Sequence, residues 1–79
     1  MKTNKIFENR FCIFVKPKGK KKAHFHRTWD NVGWWNDLHE VEDEVNHIYT
    51  GEDEITIRQS WHTEKGYTGQ DVIRTFPAK

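Results

Sequence analysis

The sequence predicts a small α+β domain of order β-β-α-β-β, with one amphipathic helix packed on a mostly antiparallel four-stranded sheet. Three observations predict it. Stretches near both ends alternate apolar and polar residues and are broken by glycine-containing turns. A central stretch repeats its apolar residues at the period of a helix. Four tryptophans, five phenylalanines and two tyrosines in 79 residues argue against disorder, because disordered chains are poor in aromatics.

The first strand is expected over Ile6 to Lys16, with Phe7, Phe11, Ile13 and Val15 on one parity and the turn Pro17-Lys18-Gly19-Lys20 directly after it. Ala23 to Trp29 then reads as its hairpin partner. Its odd positions Ala23, Phe25 and Trp29 are apolar, whereas Lys20, Lys22, His24, His26 and Thr28 are even. Strict alternation sends Phe25 inward and lines the basic and imidazole groups along the solvent face.

The helix is expected over about residues 31–50. Trp34, Leu38, Val41, Val45 and Ile48 recur at spacings of four, three, four and three, with Tyr49 at the margin of the stripe. Asp30, Asn31 or Asn36 suits the N-cap, Asp37 and Glu40 suit the positive end of the helix dipole, and Gly51 is the expected residue past the end. Trp34 and Trp35 lie about 100° apart on such a helix. Both cannot face the core, and Trp35 is the one expected outside.

From Glu54 to Trp61, Ile55, Ile57, Gln59 and Trp61 alternate with Thr56, Arg58, Ser60 and His62, a half-buried strand pattern. Lys65-Gly66 and Thr68-Gly69 supply a turn, and a last strand runs from about Gln70 to Phe76, where Val72 and Ile73 compete for the inward face and Pro77 ends it. The whole chain, residues 1–79, reads as one domain: a basic hairpin over about 6–29, the helix, and a second hairpin over about 54–76. No internal repeat or linker is evident.

Charge is strongly polarised beneath a formal net charge of +1. From Met1 to Thr28 nine Lys and Arg face Glu8 alone, a net +8. The remainder carries four against eleven acids, a net −7, and Asp37 to Glu54 holds eight acids with no Lys or Arg. Such asymmetry points to a charged partner.

The single cysteine, Cys12, excludes an internal disulfide and a cysteine-based zinc site, and it reads as a small packing residue. The longest mainly apolar run, Phe11 to Val15, is far below the roughly 20 residues of a membrane span. Lys2 and Lys5 lead into no signal-peptide stretch, and no Asn-x-Ser/Thr sequon occurs. A cytoplasmic protein is expected, with no membrane partner and no cofactor.

The basic hairpin carries the main functional expectation. Lys16, Lys18, Lys20, Lys21, Lys22 and Arg27 would neutralise phosphates, while His24, Phe25 or His26 meets bases, RNA being favoured over duplex DNA because flat side chains need splayed bases. Six phosphate contacts give a salt slope near about −4 on single strands and about −5 on a duplex. The bland reading of the same lysines is a solvated turn that protects a sheet edge from aggregation.

The second expectation is a protein-binding inhibitor or adaptor. Trp35, Glu40, Asp43 and Glu44 would occupy the basic groove of a partner enzyme, although a charged outer helix face is also what any exposed helix needs. Bipolar charge, many aromatics and no enzyme motif make the chain similar to the small accessory proteins that bacteriophages and mobile elements carry to block host enzymes. That resemblance rests on no motif and implies a host RNA-handling or defence enzyme as the target.

Catalysis and metal binding are not expected. His24, His26 and Lys22 offer a base, an acid and a cation, but on a strand pattern that implies no pocket. His39, Asp43 and His47 form an i, i+4, i+8 ladder that lacks the paired-histidine spacing of a zinc protease. Exposed sheet edges leave the oligomeric state open.

Overall fold

A computed structural model describes residues 4–29 and 37–79. The elements are β1 (Ile6–Lys16), β2 (His24–Trp29), α1 (Asp37–Ile48), β3 (Glu54–His62) and β4 (Thr68–Phe76). The four strands form one antiparallel sheet in the order β2-β1-β3-β4, and the predicted β-β-α-β-β order and α+β class are what the structure has. The last strand starts two residues before its predicted Gln70, because Thr68 and Gly69 pair with His62 and Trp61. The cap candidates Asp30, Asn31 and Asn36, and both Trp34 and Trp35, lie outside the described residues.

The helical stripe does what its period dictates. Val41 and Val45 are fully buried against Phe11, Ile13, Ile55 and Ile57, with Leu38, Ile48, Tyr49, Val15, Trp29, Ile73 and Phe76 packed around them. Burying each large aliphatic side chain contributes about 1.5–3 kcal/mol. His47 lies in the last turn, at the negative end of the dipole. Gly51 follows at φ +91°, a conformation that strains any residue with a Cβ, and its carbonyl accepts from the Lys79 N–H at 2.7 Å.

Twelve residues give α1 a length of about 18 Å, half the roughly 36 Å of the eleven-residue β1. The helix therefore covers only one end of its sheet face. Phe7, expected inward, is 47% exposed for this reason, and two extra β1 residues lie between the Phe7↔Trp61 and Phe11↔Gln59 pairs. Around Trp61 a polar cluster takes over. The indole N–H donates to Asp71 at 3.0 Å, Lys5 pairs with Asp71 at 2.9 Å, and the Lys5 ammonium lies 4.8 Å from the indole ring.

Bulges set the parity of two strands, overturning the prediction for β2 and deciding the open choice in β4. In β2, Ile13 pairs with Arg27 but Phe14 pairs with Phe25, so His26 is an extra residue and the alternation reverses there. Phe25 consequently leaves the core face and is 55% exposed on the opposite face, whereas His26 and Arg27 turn toward α1. In β4, Ile57 pairs with Arg74 and Arg58 with Val72, which makes Ile73 the extra residue. Ile73 joins the core and Val72 faces outward at 51% exposure, so the two need not compete.

Candidate nucleic-acid interface

The tip of the β1–β2 hairpin is a tight turn closed by the Lys20 N–H donating to the Pro17 carbonyl at 3.0 Å. Gly19 occupies its third position at φ +81°, which a type II turn requires and glycine supplies without strain. The base of the turn is held by acids. Asp53 accepts from the Lys18 backbone N–H at 3.3 Å, and Lys16 lies 3.7 Å from Glu54. Lys18, Lys20, Lys21 and Lys22 are exposed, and among the described residues their ammonium groups meet no carboxylate within ion-pair distance.

The bulge divides the other predicted binding residues between the two faces of the sheet. His26 Nε2 is 3.0 Å from a Glu44 carboxylate oxygen and Arg27 is 3.6 Å from the other, while the Arg27 guanidinium lies 4.7 Å from the Trp29 ring. These side chains tie the hairpin to the helix. Between them runs an open cleft of about 300 Å³ lined by Arg27, Trp29, Glu40, Asp43, Glu44 and His47. Glu40 and Asp43 are exposed, and Trp35 lies outside the described residues. His24 is exposed and pairs with Val15.

Phe25 stands on the face that carries no helix among the described residues, edge-on to Phe14, with ring centroids 5.9 Å apart and planes at 76°. The Arg58 guanidinium lies 4.0 Å from the Phe14 ring. Phe14 and Arg58 were not among the residues singled out from sequence. The signal was there in the unbroken run Phe11 to Val15, which is longer than a strand with one buried face needs and puts apolar groups on both.

Cys12 shares this face but is only 2% exposed, its thiol 3.8 Å from the Arg58 carbonyl. Burial pushes the thiol up, against smaller opposing effects of the Arg58 charge and a hydrogen bond with Gln70, so it stays protonated and unreactive at neutral pH. Among the described residues no group of three or more His, Cys, Asp or Glu could hold a metal ion, and the His39, Asp43, His47 ladder gathers none.

Two carboxyls are held below their ordinary values. The hydrogen bond from His26 lowers Glu44 most, partial desolvation opposes it, and the charges of Arg27, His26 and His47 lower it further. Lys5 lowers Asp71 by hydrogen bonding, desolvation opposes, and Trp61 and the Lys5 charge assist. A depressed folded value means that the unfolded chain takes the proton first. The stabilisation is complete above the ordinary carboxylate range and is lost as pH falls through the lowered folded values. The thermal midpoint should therefore drop over the acid window that opens as pH falls into the ordinary carboxylate range and extends below it. Melts of Glu44→Gln and Asp71→Asn should decline less steeply over that window, and slopes equal to wild type would count against both pairs.

The fold and this surface together define a class: a four-stranded antiparallel sheet with one helix on one face, a lysine-rich turn at one end and aromatic rings on the open face. No helix among the described residues is long and apolar enough to cross a membrane. No protein-family model, curated protein or solved structure matches the chain.

Proposed function

We propose that the protein binds nucleic acid without catalysing a reaction, RNA in preference to duplex DNA, through the basic hairpin. The observation that supports this best is the turn itself. Lys18, Lys20, Lys21 and Lys22 are exposed on a hydrogen-bonded turn with no carboxylate partner among the described residues, and the exposed Phe25 follows them in the next strand. Lys16 and Arg27 already face Glu54 and Glu44, so they contribute less than the sequence suggests.

Four phosphate contacts rather than six give a slope of log affinity against log salt of about −3 on single-stranded RNA. Changing Lys18, Lys20, Lys21 and Lys22 to Glu should abolish binding measured by fluorescence anisotropy at low salt and leave the thermal midpoint near wild type. A wild-type slope close to zero would sink the reading and return the lysines to the role of a solvated turn.

A second reading rests on the cleft between β2 and α1, whose lining includes Trp29, Glu40, Asp43 and His47. In it the protein is an inhibitor or adaptor that docks on a basic protein surface, in keeping with the likeness to accessory proteins of bacteriophages and mobile elements. Glu40→Lys with Asp43→Lys separates the two, since it should abolish partner capture in the second case and leave or improve polynucleotide binding in the first. Glu44 is unsuited to that test because it already holds His26 and Arg27.

A further inference from the structure

We infer that the helix-free face of the sheet is a track for single-stranded polynucleotide, with Phe25 and Phe14 as ring platforms and Arg58 as the cation beside them. The inference rests on the hairpin reading and names the form of its ligand. Directly paired residues on adjacent strands point to one face. The pairs Phe25↔Phe14 and Arg58↔Val72, joined by the Arg58 guanidinium over Phe14, therefore make a continuous row from β2 to β4. Three strand spacings make that row about 14 Å long. It starts at the strand that leads directly out of the lysine turn.

The chemistry of the row fits bases and phosphates. An edge-on contact covers at most one face of one ring, and Phe25 is 55% exposed, so a ring face remains for a base. Arg58 differs from Lys5, Lys16, Arg27 and Arg74, which meet Asp71, Glu54, Glu44 and Glu42 respectively. Among the described residues its guanidinium has no carboxylate within reach, and its Nε, like the Thr56 hydroxyl two residues earlier, is buried without a hydrogen-bond partner. Such orphaned groups are uncommon, and both lie beside Phe14 on this face. Arg58 can therefore swing off Phe14 to a phosphate or base edge without giving up an ion pair.

Two carboxylates of the strands that carry the row, Glu54 on β3 and Glu8 on β1, are already engaged. Glu54 faces Lys16, and Glu8 lies 3.6 Å from His62. A face with an uncompensated cation, flanked by four free lysines, attracts an anionic chain. Rings can stack only on bases that are not stacked on one another, which selects single strands over duplex.

The test is anisotropy with labelled oligo-rU, oligo-dT and a duplex, each of about 12 nucleotides or base pairs, a length that covers a small sheet surface. Phe25→Ala should weaken single-strand binding about tenfold, leave duplex binding within about twofold and keep the salt slope, because stacking is lost and no phosphate contact is. Phe25→Trp should restore single-strand affinity. A phosphate contact from Arg58 added to those of the four lysines steepens the wild-type slope to about −3.5, so Arg58→Gln should weaken single-strand binding and return the slope to about −3, and thermal melts check that each variant is folded. Unchanged single-strand affinity in Phe25→Ala overturns the track, as does an equal loss on single strands and duplex. If wild type binds all three ligands through the lysines without that discrimination, the hairpin reading stands and the track falls. If wild type binds none at low salt, both fall.

Discussion

Ile57→Ala is expected to lower the free energy of unfolding by about 3–4 kcal/mol, near the upper range for a large-to-small change in a core. Ile57 is fully buried at the centre of the sheet, between Ile13 on β1 and the Arg74 position on β4, and it packs in the cluster built on Val41 and Val45. The described core contains only six such buried apolar residues, so little surrounding mass can collapse into the void. A chain of 79 residues has a total stability of about 4–12 kcal/mol, and one methyl-rich side chain thus carries a large share of it. The urea midpoint should fall with an unchanged slope of free energy against denaturant. Val72→Ala, 51% exposed on the other face, should change stability by less than about 0.5 kcal/mol. A cost below about 1 kcal/mol for Ile57 would mean that the helix-on-sheet core is not where the stability resides.

Ile57 also separates core from surface. Its neighbours Thr56 and Arg58 point to the helix-free face, so an Ile57→Ala protein that remains folded at low temperature should keep the proposed polynucleotide affinity. Strand alternation makes this possible. One residue on β3 serves the helix while the next serves the ring of Phe14.

Periodicity made much of the fold legible. The stripe Leu38, Val41, Val45, Ile48 has no other economical reading, and Ile55 with Ile57 marks a strand whose inner face is clear. What the residues could not reveal was the pair of bulges. A bulge in β2 has no glycine or other marker, since His26 sits in an ordinary alternating pattern, and one extra residue there sends Phe25 to one face and Arg27 to the other. In β4 the adjacent Val72 and Ile73 did signal a break in alternation, but not which of the two would be extra. That choice is made by packing, because Ile73 packs against the buried cluster that contains Ile57. The lysine turn was legible from Pro17 and Gly19 alone. The pairing of Arg27 and His26 with Glu44 was not, because it joins segments 17 and 18 residues apart through a register that the bulge decides.

Gly69→Ala is expected to cost about 2–3 kcal/mol despite being a change that strands ordinarily tolerate well. Gly69 pairs directly with Trp61, and the indole lies across the space where a Cβ would sit, 2.9 Å from Cε2, 3.0 Å from Cη2 and closer still to Cζ2. Its backbone is not in the left-handed region, so the cost is steric rather than conformational. An aromatic residue laid over a cross-strand glycine shields backbone that the glycine leaves bare. To admit a methyl group the ring must rotate. Rotation breaks the Trp61 N–H bond to Asp71 and moves the ring from beneath Lys5, undoing the cluster that closes the end of the sheet beyond α1. The decisive measurement is a double-mutant cycle in urea. Trp61→Ala alone should destabilise, but in that background Gly69→Ala should be neutral or stabilising, because the obstructing ring is gone and alanine restricts the unfolded chain. Additive costs would show that the methyl group disturbs something other than the indole. A coupling of about 2 kcal/mol would fix Trp61 as the cover of this sheet end and leave the helix responsible for the other.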